Sequence, residues 1–403
     1  MIGVQPAPFD PFELQDTVVG DVRDPYPVVN RLRRQHPVHR GPVPIGGVAS
    51  VPMAVEQFSV YGYDEAAQVL IDDRHFSPSV YSEILGPVMG RSLLEMDPPD
   101  HLVHRRLVSH AFRAQVLTRW ESELIQVVVD DLVDRFADRG GADLVREFTF
   151  AFPVQVIARI LGLPMADYPR FQRWSIELLS VTTCWDRGIA ASTALRTYFA
   201  GVLAERRRAP ADDLISDLAA AEVDGRRLSD EEIFSTLLLL LPAGVETTYR
   251  SLGNLLFALL THPDQLAAVR TDPELLDTAV EEGLRWEAPI MMVVRTAIED
   301  TELAGIPIAA ASRMGVCVGA ANRDERRYPD PDRFDVSRQP RPHVTFGHGP
   351  HRCLGMHLAR METRLAVASL LRRLPGLRLV ADDGDPHIHG FAFRSPTALP
   401  VRF

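Results

Sequence analysis

Cys353 has the most chemically specific surroundings in the chain. It closes the run Phe346-Gly347-His348-Gly349-Pro350-His351-Arg352-Cys353 and is followed by Leu354-Gly355. Gly347 and Gly349 allow the backbone a tight, bulged turn. A helical pattern begins just after the cysteine. A thiolate there receives backbone N–H groups and the positive end of a helix dipole. Such surroundings hold a sulfur ligand on a metal and tune it. Gly355 leaves room for a helix to pack close to a flat cofactor. Taken alone, a cysteine beside a glycine turn is more often buried and inert.

Two other groups carry reactive side chains at helical spacing. His101 and Arg105 stand at i,i+4, so they share one helix face and can reach the same group. Their ordinary alternative is a solvated basic face. Ala243-Gly244-Val245-Glu246-Thr247-Thr248 follows the five leucines Leu237 to Leu241. A solvent-facing polar patch does not fit inside so apolar a run.

The ten residues from Phe346 to Gly355 match Phe-Gly-x-Gly-x-His-x-Cys-x-Gly throughout. The pattern resembles the heme-ligand loop of the cytochrome P450 family. Other motifs extend the resemblance over nearly the whole chain. Glu282-Gly283-Leu284-Arg285 matches the family's Glu-x-x-Arg helix motif, and the later Arg that joins this pair is expected to be Arg333. These three are assigned to folding and loop support. Ala320-Ala321-Asn322-Arg323-Asp324 is similar to a family segment, with Glu325 where a Pro is more usual.

The resemblance implies a mainly α fold with small β-sheets, with heme between a long central helix and the cysteine-loop helix. It makes Cys353 the axial thiolate to heme iron, with Phe346, Gly347 and Gly355 around it. Heme b carries two carboxylates, which need cations and donors when buried. His101 and Arg105 follow the family's Asp97-Pro98-Pro99 lead-in. Arg295, on a strand, and His351 complete the expected clamp. His104 and His110 are left to a solvated helix face. Ala243, Gly244, Glu246 and Thr247 resemble the oxygen-binding groove. Gly244 lets backbone approach the oxygen site, Thr247 supplies a hydroxyl, and Glu246 relays protons inward. Splitting an O–O bond consumes two protons, which a hydroxyl backed by a carboxylate can deliver. Pro242 removes a helix N–H just before this groove, so a distorted helix is expected around Leu238 to Val245.

The activity implied is a monooxygenase of the bacterial, ferredoxin-dependent type. O2 is the cosubstrate, and one of its atoms enters a C–H bond or double bond. Electrons come from NAD(P)H through a separate ferredoxin and ferredoxin reductase. Arg106, Arg113, Arg352, Arg360 and Arg364 are candidate docking contacts. A lipophilic substrate is expected: a terpenoid, steroid, polyketide or small aromatic compound. By position in the family fold its contacts are Phe76, Tyr81, Leu85, Val88, Leu179, Leu240, Ala243, Met291, Val293 and Phe393. The short connection from Val181 to Gly188 favours a compact pocket. Two alternatives stay open: heme-thiolate chemistry of another kind, such as ring coupling, dehydration or peroxide-driven oxidation, and a catalytically silent recruitment protein of the same fold.

The elements that must position these residues are also legible. Ser229-Asp230-Glu231-Glu232 fits a capping box. The helix it starts runs to roughly Leu260, where Thr261-His262-Pro263 ends it. At 1.5 Å per residue its ~32 residues span about 48 Å. Helices are expected over Asp64 to Asp72, Pro273 to Trp286 and Leu354 to Leu374. A strand is expected over Val55 to Tyr61, with more between Val293 and Val318. Dense prolines, from Pro6 to Pro52, keep the first fifty residues from being mostly helix. The expectation is one heme domain over 1–403, with most short strands in 1–65 and 290–345 and no fused reductase.

Composition bounds the rest. The chain has 403 residues, 46% hydrophobic and 24% charged, which is ordinary globular usage. Its formal charge of −11 argues against a nucleic-acid binder. All 43 basic residues are arginine, so any basic dock must be built from Arg. Three cysteines, Cys184, Cys317 and Cys353, make no disulfide framework. No signal peptide is apparent in Met1 to Leu14. The longest nearly apolar run, Ile233 to Val245, has thirteen residues and falls short of the ~20 that span a bilayer. A cytoplasmic monomer with no membrane contact is expected.

Overall fold

The computed structural model describes residues 22–44, 55–179, 184–380 and 385–403, without the side chains of Ala111 and Leu179. Met1 to Leu14, the prolines Pro6, Pro8, Pro11 and Pro52, the Leu179 side chain and the start of the connection at Val181 lie outside the described residues.

The fold is organised around the helix Asp230–Thr261. Its capping box forms as the sequence suggests. Ser229 Oγ accepts from the Glu232 N–H at 3.3 Å, and Glu232 Oε2 accepts from the Ser229 N–H at 2.8 Å. Most of the helix is buried, which its leucines make favourable. The helices Ala151–Ile160, Tyr168–Leu179, Leu275–Trp286 and Met356–Arg373 pack around it. The distortion expected at Pro242 does not interrupt the helix, which stays α-helical from Leu238 to Val245. Proline removes a single N–H donor there, and the packed neighbours hold the backbone on both sides.

Gly244 serves this packing. A Cβ there would lie 2.9 Å from Ile157 Cδ1 on the Ala151–Ile160 helix. The glycine therefore lets two helices close together, where an approach to the oxygen site had been expected.

A five-stranded sheet flanks the helices. Its order is Val38–Arg40, Gln57–Val60, Arg313–Cys317, Met292–Ala297 and Phe76–Ser77. The antiparallel register sets Arg295 opposite Met314 and Val293 opposite Val316. Met314 and Val316 are fully buried, so Arg295 shares a face with core residues. Among the described residues, eight of the fourteen strands fall outside 1–65 and 290–345, against expectation. Most of those eight span two residues, too short for any alternating pattern to show.

Candidate active site

The cysteine loop is braced from three sides. The Cys353 N–H donates to the Phe346 carbonyl at 2.8 Å, and the Gly347 N–H to the Val344 carbonyl at 2.9 Å. Gly347 and Gly349 take φ of +70° and +69°. At Gly349 a Cβ would stand 2.7 Å from Ile71 Cα, so the loop rests directly on the Tyr63–Ile71 helix. Asn322 ties the loop's lead-in down. Its Nδ2 donates to Thr345 Oγ1 at 2.8 Å, and its Oδ1 accepts from the Val344 N–H at 2.9 Å. Glu325, in the place of the usual Pro, pairs with Arg33 at 2.5 Å and anchors the same segment to the Tyr26–Gln35 helix.

The Glu-x-x-Arg pair forms, with Arg285 holding both oxygens of Glu282 at 2.7 and 2.8 Å. The third arginine is Arg338, whose Nε lies 3.0 Å from Glu282 Oε1. Arg333, the expected partner, is exposed and contributes its carbonyl, which accepts from Arg285 and Arg338. Four residues of loop lie between the two arginines, and helical or strand periodicity says nothing about which one turns inward.

Cys353 keeps accessible surface, so open space adjoins its side chain. Burial pushes the thiol up; the Gly355 N–H and the charges of Arg105, Arg360 and Arg352 pull it back toward the thiolate. A Cβ on Gly355 would meet no atom within 4 Å, so the same open space continues beside the sulfur.

Four cationic or donor side chains gather beside the cysteine loop. His101 has no exposed surface, and neither ring nitrogen has a partner. His351 Nε2 is likewise unpartnered, and the two imidazole centroids lie 4.0 Å apart. Arg295 is 7% exposed and donates to the adjacent Val294 carbonyl. Arg105 donates to the Arg352 carbonyl at 2.5 Å. Burial, then Arg105 and His104, push His101 down to about 4. Burial, His101, Arg295 and Arg105 push His351 down to about 3. Buried donors left unpaired are costly, so this cluster requires an anion. The two carboxylates of a heme fit it. Arg295→Leu should therefore weaken heme retention by roughly 10²-fold, the scale for a buried charge pair losing one member. Titration of heme into heme-free protein measures it; unchanged affinity would remove Arg295 from the clamp.

His104, assigned to a solvated face, is instead fully buried. Its Nε2 lies 3.3 Å from Thr236 Oγ1 on the central helix. Helix periodicity places His104 one residue from Arg105, but the packed central helix lies on its side.

The central helix is accessible along one stripe. Leu239, Leu240, Ala243, Gly244 and Thr247 keep accessible surface while Leu238, Leu241, Pro242, Val245 and Glu246 are buried. Spacings of three and four put the accessible set on one stripe. Thr247 Oγ1 donates to the Ala243 carbonyl at 2.6 Å. Glu246 is 4% exposed and forms a buried ion pair with Arg250, Nε to Oε2 2.9 Å. Arg250 Nη1 also donates to Ser395 Oγ at 2.9 Å, and its guanidinium stands over Phe393. Arg250 and Ser395 were missed by sequence reasoning. The i,i+4 spacing from Glu246 was the available signal.

The proposed substrate contacts separate into two groups. Tyr81, Leu85, Leu240, Ala243, Val293 and Phe393 keep accessible surface. Phe76, Val88 and Met291 keep almost none. They are 2%, 0% and 0% exposed and belong to packed cores, Met291 among Tyr26, Val29 and Tyr61. Met291 and Met292 alternate in direction, and sequence alone does not say which one turns inward.

Of the docking candidates, Arg352 and Arg113 are exposed, and Arg113 donates to the His110 carbonyl at 2.9 Å. Arg106 pairs with Asp224 at 2.7 Å, Arg364 with Glu121, and Arg360 with Glu281. These internal pairs reduce the charge that the face offers a partner. Among the described residues no helix is long and apolar enough to cross a membrane.

The chain is similar to known proteins along most of its length. The family model described as Cytochrome P450 matches residues 170–377. Cytochrome P450 monooxygenase PikC of Streptomyces venezuelae is 37% identical over 400 residues, covering 94% of this chain and 91% of that protein. Vitamin D(3) 25-hydroxylase of Pseudonocardia autotrophica is 36% identical over 365 residues, covering 89% and 88%. The solved structure of PksS, the cytochrome P450 of the Bacillus subtilis 168 bacillaene polyketide synthase, matches with a TM-score of 0.87 at 31% identity, over 98% of this chain and 99% of that one.

Proposed function

Because the chain belongs to the cytochrome P450 family of heme monooxygenases, we propose that it inserts one atom of O2 into a C–H bond or double bond of a lipophilic small molecule. The other atom leaves as water, consuming two protons and two electrons. One observation carries the reading. The unpartnered His101 and His351 rings, their centroids 4.0 Å apart, stand with Arg105 beside the loop that carries Cys353.

When bound, heme supplies the redox and oxygen-activating chemistry, with a thiolate ligand favouring O–O cleavage. The chain's own residues do the rest. Cys353 offers the thiolate, held in place by the Phe346 carbonyl and the Asn322 brace. His101, Arg105, Arg295 and His351 hold the carboxylates. Thr247 presents a hydroxyl, and the adjacent Glu246 carboxylate, aligned by Arg250, can relay protons from water toward it. Leu240, Ala243, Val293 and Phe393 give apolar walls, which select a substrate by shape and exclude water.

The substrate is a terpenoid, steroid, polyketide or aromatic compound. The vitamin D(3) hydroxylase and the polyketide-synthase P450 among the similar proteins favour large, weakly polar substrates. Electrons are supplied from NAD(P)H by a separate ferredoxin and its reductase in the cytoplasm, with Arg352 and Arg113 at the docking face.

Turnover under ¹⁸O₂ tests the reading. One labelled atom per product molecule is expected. Product oxygen drawn from water, or product formed with no oxygen incorporated, would turn the assignment toward other heme-thiolate chemistry.

A further inference from the structure

An ion pair behind the cysteine loop has no part in the function above. Glu281 lies on the Leu275–Trp286 helix and Arg360 on the Met356–Arg373 helix. The arginine grips both carboxylate oxygens, Nε to Oε1 at 2.5 Å and Nη2 to Oε2 at 2.9 Å. His343 Nε2 stands 3.4 Å from the same Oε2. Arg360 also places its guanidinium carbon 4.5 Å from the centroid of the Phe346 ring, and the His343 ring lies 5.8 Å from that ring. Phe346 is the residue whose carbonyl receives the Cys353 N–H.

Arg360 thus touches the loop through Phe346 while Glu281 holds it from the other side. The Arg360 charge acts on Cys353 to favour the thiolate. Glu281 stays ionised opposite it. Burial pushes its carboxyl up, but the His343 ring and the Arg360 guanidinium outweigh that and hold it at about 2. The pair is part-buried, with both side chains 27% exposed, so salt screens it less than a free surface pair.

We propose that Glu281 and Arg360 together set the charge felt by the Cys353 thiolate, with Arg360 a positioning residue for Phe346 and Glu281 the group that masks its cation. The proposal rests on the heme-thiolate reading. It assigns Arg360 to tuning the site, where the sequence suggested a docking contact.

The test is the ferric–ferrous midpoint potential of the heme-loaded protein, measured without substrate or redox partner. Extra positive charge near the thiolate favours the reduced form. Glu281→Gln should therefore raise the potential, Arg360→Gln should lower it, and Arg360→Lys should restore most of the wild-type value. A merely structural brace would move both neutral variants in the same direction. Shifts of one sign, or no shift in heme-loaded variants with an intact thiolate spectrum, would overturn the proposal. If Arg360→Gln does not fold, Glu281→Gln and Arg360→Lys decide alone: a rise for the first with little change for the second supports the proposal, and any other pair of results contradicts it. A wild-type protein that binds no heme would instead refute the reading beneath it.

Discussion

Cys353→Ser should leave a folded chain that still binds heme, while its reduced carbon monoxide complex loses the red-shifted thiolate band. The two halves of this expectation have different physical origins. Heme retention is expected to rest on His101, Arg105, Arg295 and His351, which the substitution does not touch. The spectrum comes from sulfur, whose surroundings favour ionisation through the Gly355 N–H and the charges of Arg105, Arg360 and Arg352. Serine keeps the loop hydrogen bond to the Phe346 carbonyl, because the backbone makes it. Stability should therefore change little, by about 1 kcal/mol or less. Turnover should fall beyond the roughly 10–100-fold that losing a ligand's supporting partner costs. Absorption spectra of the reduced, carbon monoxide-treated protein measure it directly. A variant with the wild-type spectrum would mean that Cys353 is not the ligand.

Thr247→Ala should separate electron consumption from product formation. Thr247 keeps accessible surface, and its hydroxyl donates to the Ala243 carbonyl. Its oxygen therefore has lone pairs free to accept a proton or a water. Removing a group that positions protons costs about 10²–10⁴-fold in a proton-dependent step. Product formation should fall by roughly 10²-fold while NAD(P)H consumption continues, with the electrons recovered as hydrogen peroxide. Parallel assays of NAD(P)H, peroxide and product decide it. Full coupling in the variant would show that Thr247 has no part in proton delivery.

Glu246→Gln is a less direct probe. The glutamate is locked to Arg250 in a buried pair, and the substitution leaves that guanidinium without its anion. Any loss of activity there combines proton supply with destabilisation. Alanine at Thr247 removes a side chain that carries no charge and no buried partner.

The framework was legible because its signals are local or long. The capping box at Ser229 and the leucine run that follows specify the central helix to within a residue or two of its observed ends. The glycines and cysteine between Phe346 and Gly355 specify a loop whose shape is set by its own backbone. What escaped depends on side-chain direction. Arg338 and Arg333 are equally available in sequence, and only the packed loop turns one toward Glu282. Phe76, Val88 and Met291 have the right apolar character for a pocket but point into cores. Pro242 marked a distortion, yet the segment from Leu238 to Val245 stays α-helical. Glu246 was read as an acid relaying protons inward; its ion pair with Arg250, itself held by Ser395 on a strand, is a contact that periodicity does not connect.

The most direct test of the central claim is the ferric absorption spectrum of purified protein reconstituted with heme, titrated with a panel of lipophilic compounds. The account predicts a heme Soret band that at least one compound of the panel shifts from low-spin to high-spin. It would be contradicted by a chain that shows no Soret band even with heme in excess.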